Sequence, residues 1–336
     1  SDSGYPFHDI SGAAVSYKLV SALRFAESDF YNAEICLFDI NEDKENNCYN
    51  IDCLKIRNLV KVKELHEKII PGKTSIYDLK LPYFLQGQLI YVWDINQTQK
   101  ILKDIFGSGI EFNLNDLKSE ICKIIPALKT KNTHQLKEMS QIAKYNESEN
   151  SIISSLFNVY ITYCKKMIGS KKPENLENER KDLQLVALAA LADIMPMKNE
   201  NRIFVRNGIN SMKKDRPRPG LAELFHKLNV NVDSVTSTDL SWTVIPALNA
   251  AGRMGKSNLS LQLLISQDPK EREILANTIH GLNEERKELV NKAIYTIHDT
   301  AEKSLTEYNN KLCISIDESI NKGVTGIVAA RIGRAH

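Results

Sequence analysis

Two short segments hold the residue types that phosphodiester chemistry uses. Ala190-Leu-Ala-Asp193-Ile-Met-Pro196 offers a carboxylate at the end of a predicted helix, and Asn249-Ala-Ala-Gly-Arg253-Met-Gly255 offers a guanidinium after a small-residue turn. Ala250, Ala251 and Gly252 let a backbone come close to a ligand, while the planar donors of Arg253 suit a phosphate that Asn249 can also orient or donate to. A third segment, Gly323-Val-Thr-Gly326, precedes an apolar run and would expose backbone amides to an anion. Lys213, Lys214, Arg216 and Arg218 stand among prolines that keep the stretch extended, where they could track a polyanion backbone or be a solvated loop. Each position also fits a plainer role: Asp193 as a helix cap or surface aspartate, Asn249 and Arg253 as a capping turn with an exposed arginine. His8, His66, His134, His226, His280 and His298 show no ligand spacing and receive no catalytic role.

The elements that must position these residues follow from periodicity. Residues 12–26 place Ala14, Val15, Leu19, Ala22 and Leu23 at helical spacing and read as a core helix. A stretch of different composition, rich in Asn, Asp and Glu, then gives strand-like Glu34–Asp39, the amphipathic run Leu54–Ile70 stopped by Pro71-Gly72, strand-like Gln88–Trp93 and a helix over Gln97–Phe106. Strands and helices alternate there. A charged segment, Ser170–Lys181, reads as an exposed linker. Asp182 then caps a helix that buries Leu185, Val186, Leu188 and Ala189 and ends at Pro196, which places Asp193 at a helix end. Helices are expected over Asn199–Met212, Leu221–Leu228, 257–267 and 270–307, the last a long connector with a bend point at Gly281 that joins two lobes. Leu312–Ile316 reads as a strand opening a further domain.

Composition bounds the class. A chain of 336 residues, 42% hydrophobic and 26% charged, is ordinary for a two- or three-domain globular protein with a proper core. It has no run of eighteen apolar residues and no charged-then-apolar leader at its start, so no membrane partner is expected. The six cysteines are scattered, which fits buried reduced thiols better than a zinc site or a disulfide framework. A net charge of +2 announces no nucleic-acid binder by itself, and local clusters decide that question.

The Asn249–Arg253 element, the Ala192-Asp193-Ile-Met-Pro196 element and the passage Tyr5-Pro-Phe-His-Asp-Ile-Ser-Gly-Ala-Ala14 together resemble the DHH phosphoesterase superfamily and, within it, the RecJ family of single-stranded-DNA exonucleases. The resemblance covers residues 1 to about 28 and about 178 to 336. It implies an α/β fold: a partial DHH phosphoesterase domain, a parallel sheet with flanking helices (1–28 and 178–268), interrupted by a large α/β insertion (29–177). A long connecting helix (269–307) and the start of a second α/β domain (308–336) follow. It implies metal-dependent hydrolysis of single-stranded DNA from the 5′ end, Mn²⁺ or Mg²⁺ as cofactor, single-strand binding protein as a partner, and a cytoplasmic place in DNA repair and recombination. Asp193 would be a metal ligand, Arg253 would contact the scissile phosphate or support the metals, and Asn249, Gly252, Arg216, Arg218 and Gly323 would meet the nucleic acid. The chain departs from the family in lacking the Asp-x-Asp and Asp-His-His motifs and in carrying Asn321 where a histidine is usual. It is therefore expected to be a piece of a longer protein and to hydrolyse nothing alone. The insertion resembles, in its order of elements, the proofreading type of RNase H-like exonuclease with its acidic ligands mostly lost: Asp39-Ile-Asn41 replaces Asp-x-Glu, and Tyr145–Asn150 stands where a His-x-x-x-x-Asp pattern would fall. An unrelated α/β insertion remains open beside that reading. Two other functions stay open as well, a DHH phosphodiesterase of short oligonucleotides and a non-catalytic DNA-binding or scaffold relative.

Overall fold

The computed structural model describes residues 5–140 and 150–335. It divides into two compact units, one formed by Ser1–Val20 with Leu176–His336 and the other by Ser21–Asn175, with the boundaries inside helices α1 (Gly12–Ala26) and α7 (Pro173–Ala192).

The second unit holds a five-stranded mixed sheet. Strands β1 (Glu34–Asp43), β2 (Cys48–Arg57), β3 (Val60–Ile69), β4 (Leu89–Val92) and β5 (Leu114–Asp116) lie in the order β3-β2-β1-β4-β5. The first three are antiparallel neighbours, and β4 and β5 run parallel to β1. Strand β1 is nearly continuous in apolar residues because both its faces are covered. Ile35 and Leu37 pack with Leu54, Ile121 and Leu156 under helices α4 (Leu117–Ile124), α5 (Thr133–Met139) and α6 (Ile152–Lys171). Cys36, Phe38 and Ile40 pack on the other face with Leu81, Phe84 and Leu102 from helices α2 (Leu81–Leu85) and α3 (Ile95–Phe106).

The amphipathic run Leu54–Ile70 is not one element. It is the second half of β2, a two-residue turn and β3, with Asn58 and Leu59 at φ 52° and 61° and Arg57 paired with Val60. Two adjacent positive φ values match a twisted hairpin, and Val60 and Val62 at the start of β3 are left exposed while Lys61 is half-buried. The charged segment Ser170–Lys181 is likewise no linker. Pro173 opens α7, where a ring-locked φ is preorganised for helix, and Glu177 and Lys181 pair across one turn at 2.6 Å. Asp182 therefore lies within α7 instead of capping it. The Tyr145–Asn150 motif falls almost wholly outside the described residues.

Among the described residues the regular elements of the first unit are all helical: besides its parts of α1 and α7, they are α8 (Asn199–Lys214), α9 (Pro219–Lys227), a 3-10 turn at Val232–Ser234, one-turn α10 (Ser237–Asp239), a π-helical stretch at Leu240–Val244, α11 (Ile245–Arg253), α12 (Asn258–Ile265), α13 (Pro269–Glu307) and α14 (Thr325–Ala335). The α/β class thus holds for the chain, but its sheet is mixed and lies in residues 34–116, and the parallel sheet expected of the parent domain is not among the described residues. Nor is the strand expected at Leu312–Ile316, a segment without regular secondary structure. The core joins Leu188, Met212, Leu224, Phe225, Val244 and Ile279. Helix α13 has 39 residues, a length of about 58 Å, and buries Leu275, Ile279, Leu282, Val290, Ile297 and Leu305 at the spacing read from sequence. Helix α1 departs from its expectation: Ala14 is buried, but Val15, Leu19 and Leu23 are exposed. Cys313 is exposed and Cys122 half-buried, the other cysteines being buried and all six free.

Candidate nucleic-acid interface

Asn249 to Arg253 do not form a turn. They are the last residues of α11, whose predecessor Leu240–Val244 is wound as a π-helix, a local form frequent where a helix must be re-aimed. Ala250 and Ala251 are buried, so the small residues serve helix packing, and Arg253 projects from the helix end. The chain passes close there: a Cβ at Gly323 would lie 1.9 Å from the Arg253 carbonyl oxygen, and Arg253 Nη1 donates to the Gly323 carbonyl at 3.3 Å. A Cβ at Gly252 would by contrast meet only the Ser257 Cβ, at 3.9 Å, an ordinary contact. The Gly323 amide is not offered to an anion, because Asn321 Oδ1 accepts from it at 2.8 Å. The residue that replaces the expected histidine is thus a local cap.

Two further arginines converge on Arg253 that no sequence motif marked. Arg286 on α13 is half-buried, and burial together with the positive fields of Arg253 and Arg331 holds its pKa below the usual arginine value. The acid whose field reaches it, Glu284, is tied to Lys287 at 2.7 Å. Arg331 on α14 donates to Asn291 Oδ1 at 3.2 Å. Along the same ridge of α13, Arg286 Nε, Asn283 Oδ1 and His280 Nδ1 are buried without hydrogen-bond partners. Unpartnered polar atoms in a native fold ask for a ligand, and a guanidinium set in the positive fields of two others asks for an anionic one. The arrangement is chemically competent to grip phosphates, since each guanidinium offers a planar donor fork and none requires a proton to be lost.

Asp193 lies just beyond α7, exposed, on a turn made by Ile194 at φ 52°, a conformation strained for a β-branched residue. Asn201, fully buried, fixes that turn by donating to the carbonyls of Asp9 and Pro196 at 2.6 and 3.1 Å. Among the described residues no group of three His, Cys, Asp or Glu is placed to hold a metal ion, so Asp193 has no ligand companions there. The donor set does not fit a metal centre by itself, and no cleavage step is derived through one. Arg216 and Arg218 are held in ion pairs, with Asp233 at 2.9 Å and Asp182 at 3.0 Å, the second half-buried, so neither is a free phosphate donor.

The second unit carries a cleft of about 290 Å³ bordered by Asp39, Asn41, Asp94, Thr98, Asn132 and His134. Burial, opposed by the Asn41 amide that donates to it and assisted by the field of Asp52, pushes the Asp39 carboxyl up to about 7. Asp52 is the cross-strand partner of Asp39, and His66 is the partner of Asp52 on β3, where His66 Nδ1 meets Asp52 Oδ1 at 2.6 Å. That hydrogen bond raises the His66 pKa. Asp94 caps α3 through the Gln97 amide at 3.1 Å and lies 3.8 Å from Lys118. The two aspartates are engaged by amides and an ammonium.

No protein-family profile matches the chain. It is similar to the single-stranded-DNA-specific exonuclease RecJ of Escherichia coli K12, 32% identical over 153 residues, which is 45% of this chain and 26% of that protein. The RecJ of Haemophilus influenzae is 36% identical over 107 residues (32% of this chain, 19% of that protein), and that of Bacillus subtilis 29% over 150 residues (45% and 19%). A RecJ-like region therefore accounts for close to half of the chain, and the chain spans about a quarter of the length of the E. coli relative. Among solved structures, RecJ from Thermus thermophilus in complex with Mn²⁺ aligns with 76% of this chain and 36% of its own at 20% identity and a TM-score of 0.43. The same protein in complex with Mg²⁺ aligns with 46% and 24% at 25% identity and a TM-score of 0.39. No helix among the described residues is long and apolar enough to cross a membrane.

Proposed function

We propose that the complete protein is a single-stranded-DNA exonuclease that hydrolyses phosphodiesters from the 5′ end with Mn²⁺ or Mg²⁺, and that this chain supplies its phosphate-gripping face. The observation that carries the reading is the convergence of Arg253, Arg286 and Arg331, three guanidiniums with buried unpartnered polar atoms beside them. The RecJ-like sequence supports it independently. Asp193, on its strained turn, would contribute one ligand to a metal centre whose other ligands the described residues do not provide. Asn249 and Gly252, at the mouth of the same helix end, would border the strand's path, and Gly323 serves by admitting the Arg253 carbonyl. A cytoplasmic role in DNA repair and recombination, with single-strand binding protein as a partner, follows from the same resemblance.

For the architecture, we read residues 1–28 and 178–268 as the parent domain, 29–177 as an inserted module, 269–307 as the connector and 308–336 as the beginning of another domain. The strand order β3-β2-β1-β4-β5 supports an RNase H-like insertion, and the amide-engaged Asp39 supports its being degenerate. A non-catalytic DNA-binding role is the second reading, favoured by the lack of a metal-holding group among the described residues. The test is the complete gene product on end-labelled single-stranded DNA with Mn²⁺, beside Asp193→Ala. Release of 5′ nucleotides that the variant loses supports the exonuclease; binding without release supports the second reading.

A further inference from the structure

The second unit holds a like-charge pair that has no ion-pair partner among the described residues. Lys55 on β2 and Lys63 on β3 are directly opposed cross-strand partners, and both ammonium groups lie over the same Phe84 ring, at 4.8 and 5.9 Å from its centroid. Like charges directly opposite in a sheet destabilise it, and the ring's negative face offsets part of that repulsion without neutralising either charge. The acids on the nearby elements are engaged elsewhere. Glu67 accepts the backbone amides of Lys80 and Leu81 at 2.8 and 3.0 Å, Asp78 accepts that of Ser75 at 3.0 Å, and Glu34 accepts from the Gln88 side chain at 3.3 Å. Among the described residues neither lysine forms an ion pair.

On α2, which packs against β3, and on the one-turn helix beside it, two aromatic rings face solvent. Tyr83, next to buried Phe84 on α2, is 81% exposed, and Tyr77, in the one-turn helix Ile76–Asp78 that packs against α2, is 90% exposed. A rigid aromatic ring left outside while its neighbours Ile76, Leu81 and Phe84 are buried contributes nothing to the core. We infer that Lys55, Lys63, Tyr77 and Tyr83 form a docking surface for single-stranded nucleic acid, the ammonium groups taking phosphates and the tyrosines stacking on unpaired bases. Duplex hides its base faces and would leave the tyrosines idle, and an acidic peptide would use the lysines alone. The surface would hold a strand on the inserted module; the choice of DNA as probe rests on the function proposed above.

The experiment is fluorescence anisotropy of the chain with labelled oligothymidylate and with duplex DNA over a salt series, for the unaltered protein and three double variants: Lys55→Gln/Lys63→Gln, Tyr77→Ala/Tyr83→Ala and Arg253→Gln/Arg331→Gln. The lysine variant should lower the slope of log K against log salt by about 1.4, the single-strand value for two phosphate contacts. The tyrosine variant should weaken single-strand binding at least about fivefold with an unchanged slope. Circular dichroism of these exposed-site variants checks that the fold is kept. Single-strand affinity and slope equal to the unaltered protein in both sheet-unit variants, or equal affinity for duplex, overturns the docking surface. If the arginine variant alone binds like the unaltered protein, the arginine reading fails while this surface stands.

Discussion

The two units treat charge in opposite ways. In the helical unit, Arg286 lies within the fields of Arg253 and Arg331, and the carboxylate whose field reaches it, Glu284, is tied to Lys287, so the fold holds positive charge in readiness. In the sheet unit, Asp39 is buried, faces Asp52 and accepts an amide from Asn41, so the fold holds a carboxyl close to neutrality. Both arrangements are unfavourable for the isolated chain. The difference is that guanidiniums cannot escape by losing a proton near neutral pH, whereas a carboxyl can take one up. An unrelieved positive cluster therefore points outward to an anion, whereas a protonated aspartate lacks the charge that would hold a cation.

The largest expected effect breaks this comparison on the acid side. With the folded-state pKa of Asp39 near 7 and the unfolded value near 3.8, the unfolded chain gives up this proton first as pH rises. The stability associated with the protonated form is complete below about pH 4 and is lost on rising toward pH 7, a change on the order of 4 kcal/mol. His66, whose raised pKa reflects Asp52, adds a loss in the same direction as pH rises through its folded value. Trp93 is buried in this unit and Trp242 is exposed in the other, so urea unfolding followed by Trp93 emission in a Trp242→Phe background isolates it. The pH slope should flatten in Asp39→Asn; an equal slope in the variant sinks the protonated-aspartate account.

On the arginine side, Gly323→Val places side-chain atoms where the Arg253 carbonyl already stands and should lower stability by about 3 kcal/mol, read from urea midpoints. An unperturbed midpoint would mean that the approach of α11 to residue 323 is not fixed. Arg331→Gln should weaken single-stranded DNA binding by about 2 kcal/mol while leaving thermal stability nearly unchanged, because its partner in the chain is an exposed asparagine. A matching loss in stability would assign Arg331 to the fold instead. The smallest effect is at the Asp193 turn: Ile194→Gly should raise stability by about 1 kcal/mol by relieving a left-handed β-branched residue, and a loss on calorimetry would show that the turn is not strained.

Much of the helical unit was legible because its apolar residues recur at helical spacing without interruption, as Ile279, Leu282, Val290 and Ile297 do along α13. The Leu54–Ile70 run was harder, since Leu54 and Ile56 belong to one strand and Leu65 and Ile69 to the next, and the Asn58-Leu59 turn between them lacks the glycine that would have marked it. Ser170–Lys181 misled because its charge density is that of a linker, whereas Glu177–Lys181 pairing sustains a helix. At the site, Arg253 stood in a recognisable motif, but Arg286 and Arg331 are drawn to it only by the packing of α13 and α14, and no local pattern records that. Arg216 and Arg218 sat in a basic run whose counter-charges, Asp233 and Asp182, are distant in sequence.

The most direct test is the salt dependence of single-stranded DNA binding by this chain with Arg286→Gln. That substitution removes a guanidinium whose field the other two already oppose, so the DNA-free protein should be no less stable while affinity falls at least about tenfold and the log–log salt slope drops by about 0.7. Unchanged affinity and slope, with the protein folded, would contradict the claim that the converging arginines are the phosphate-gripping face.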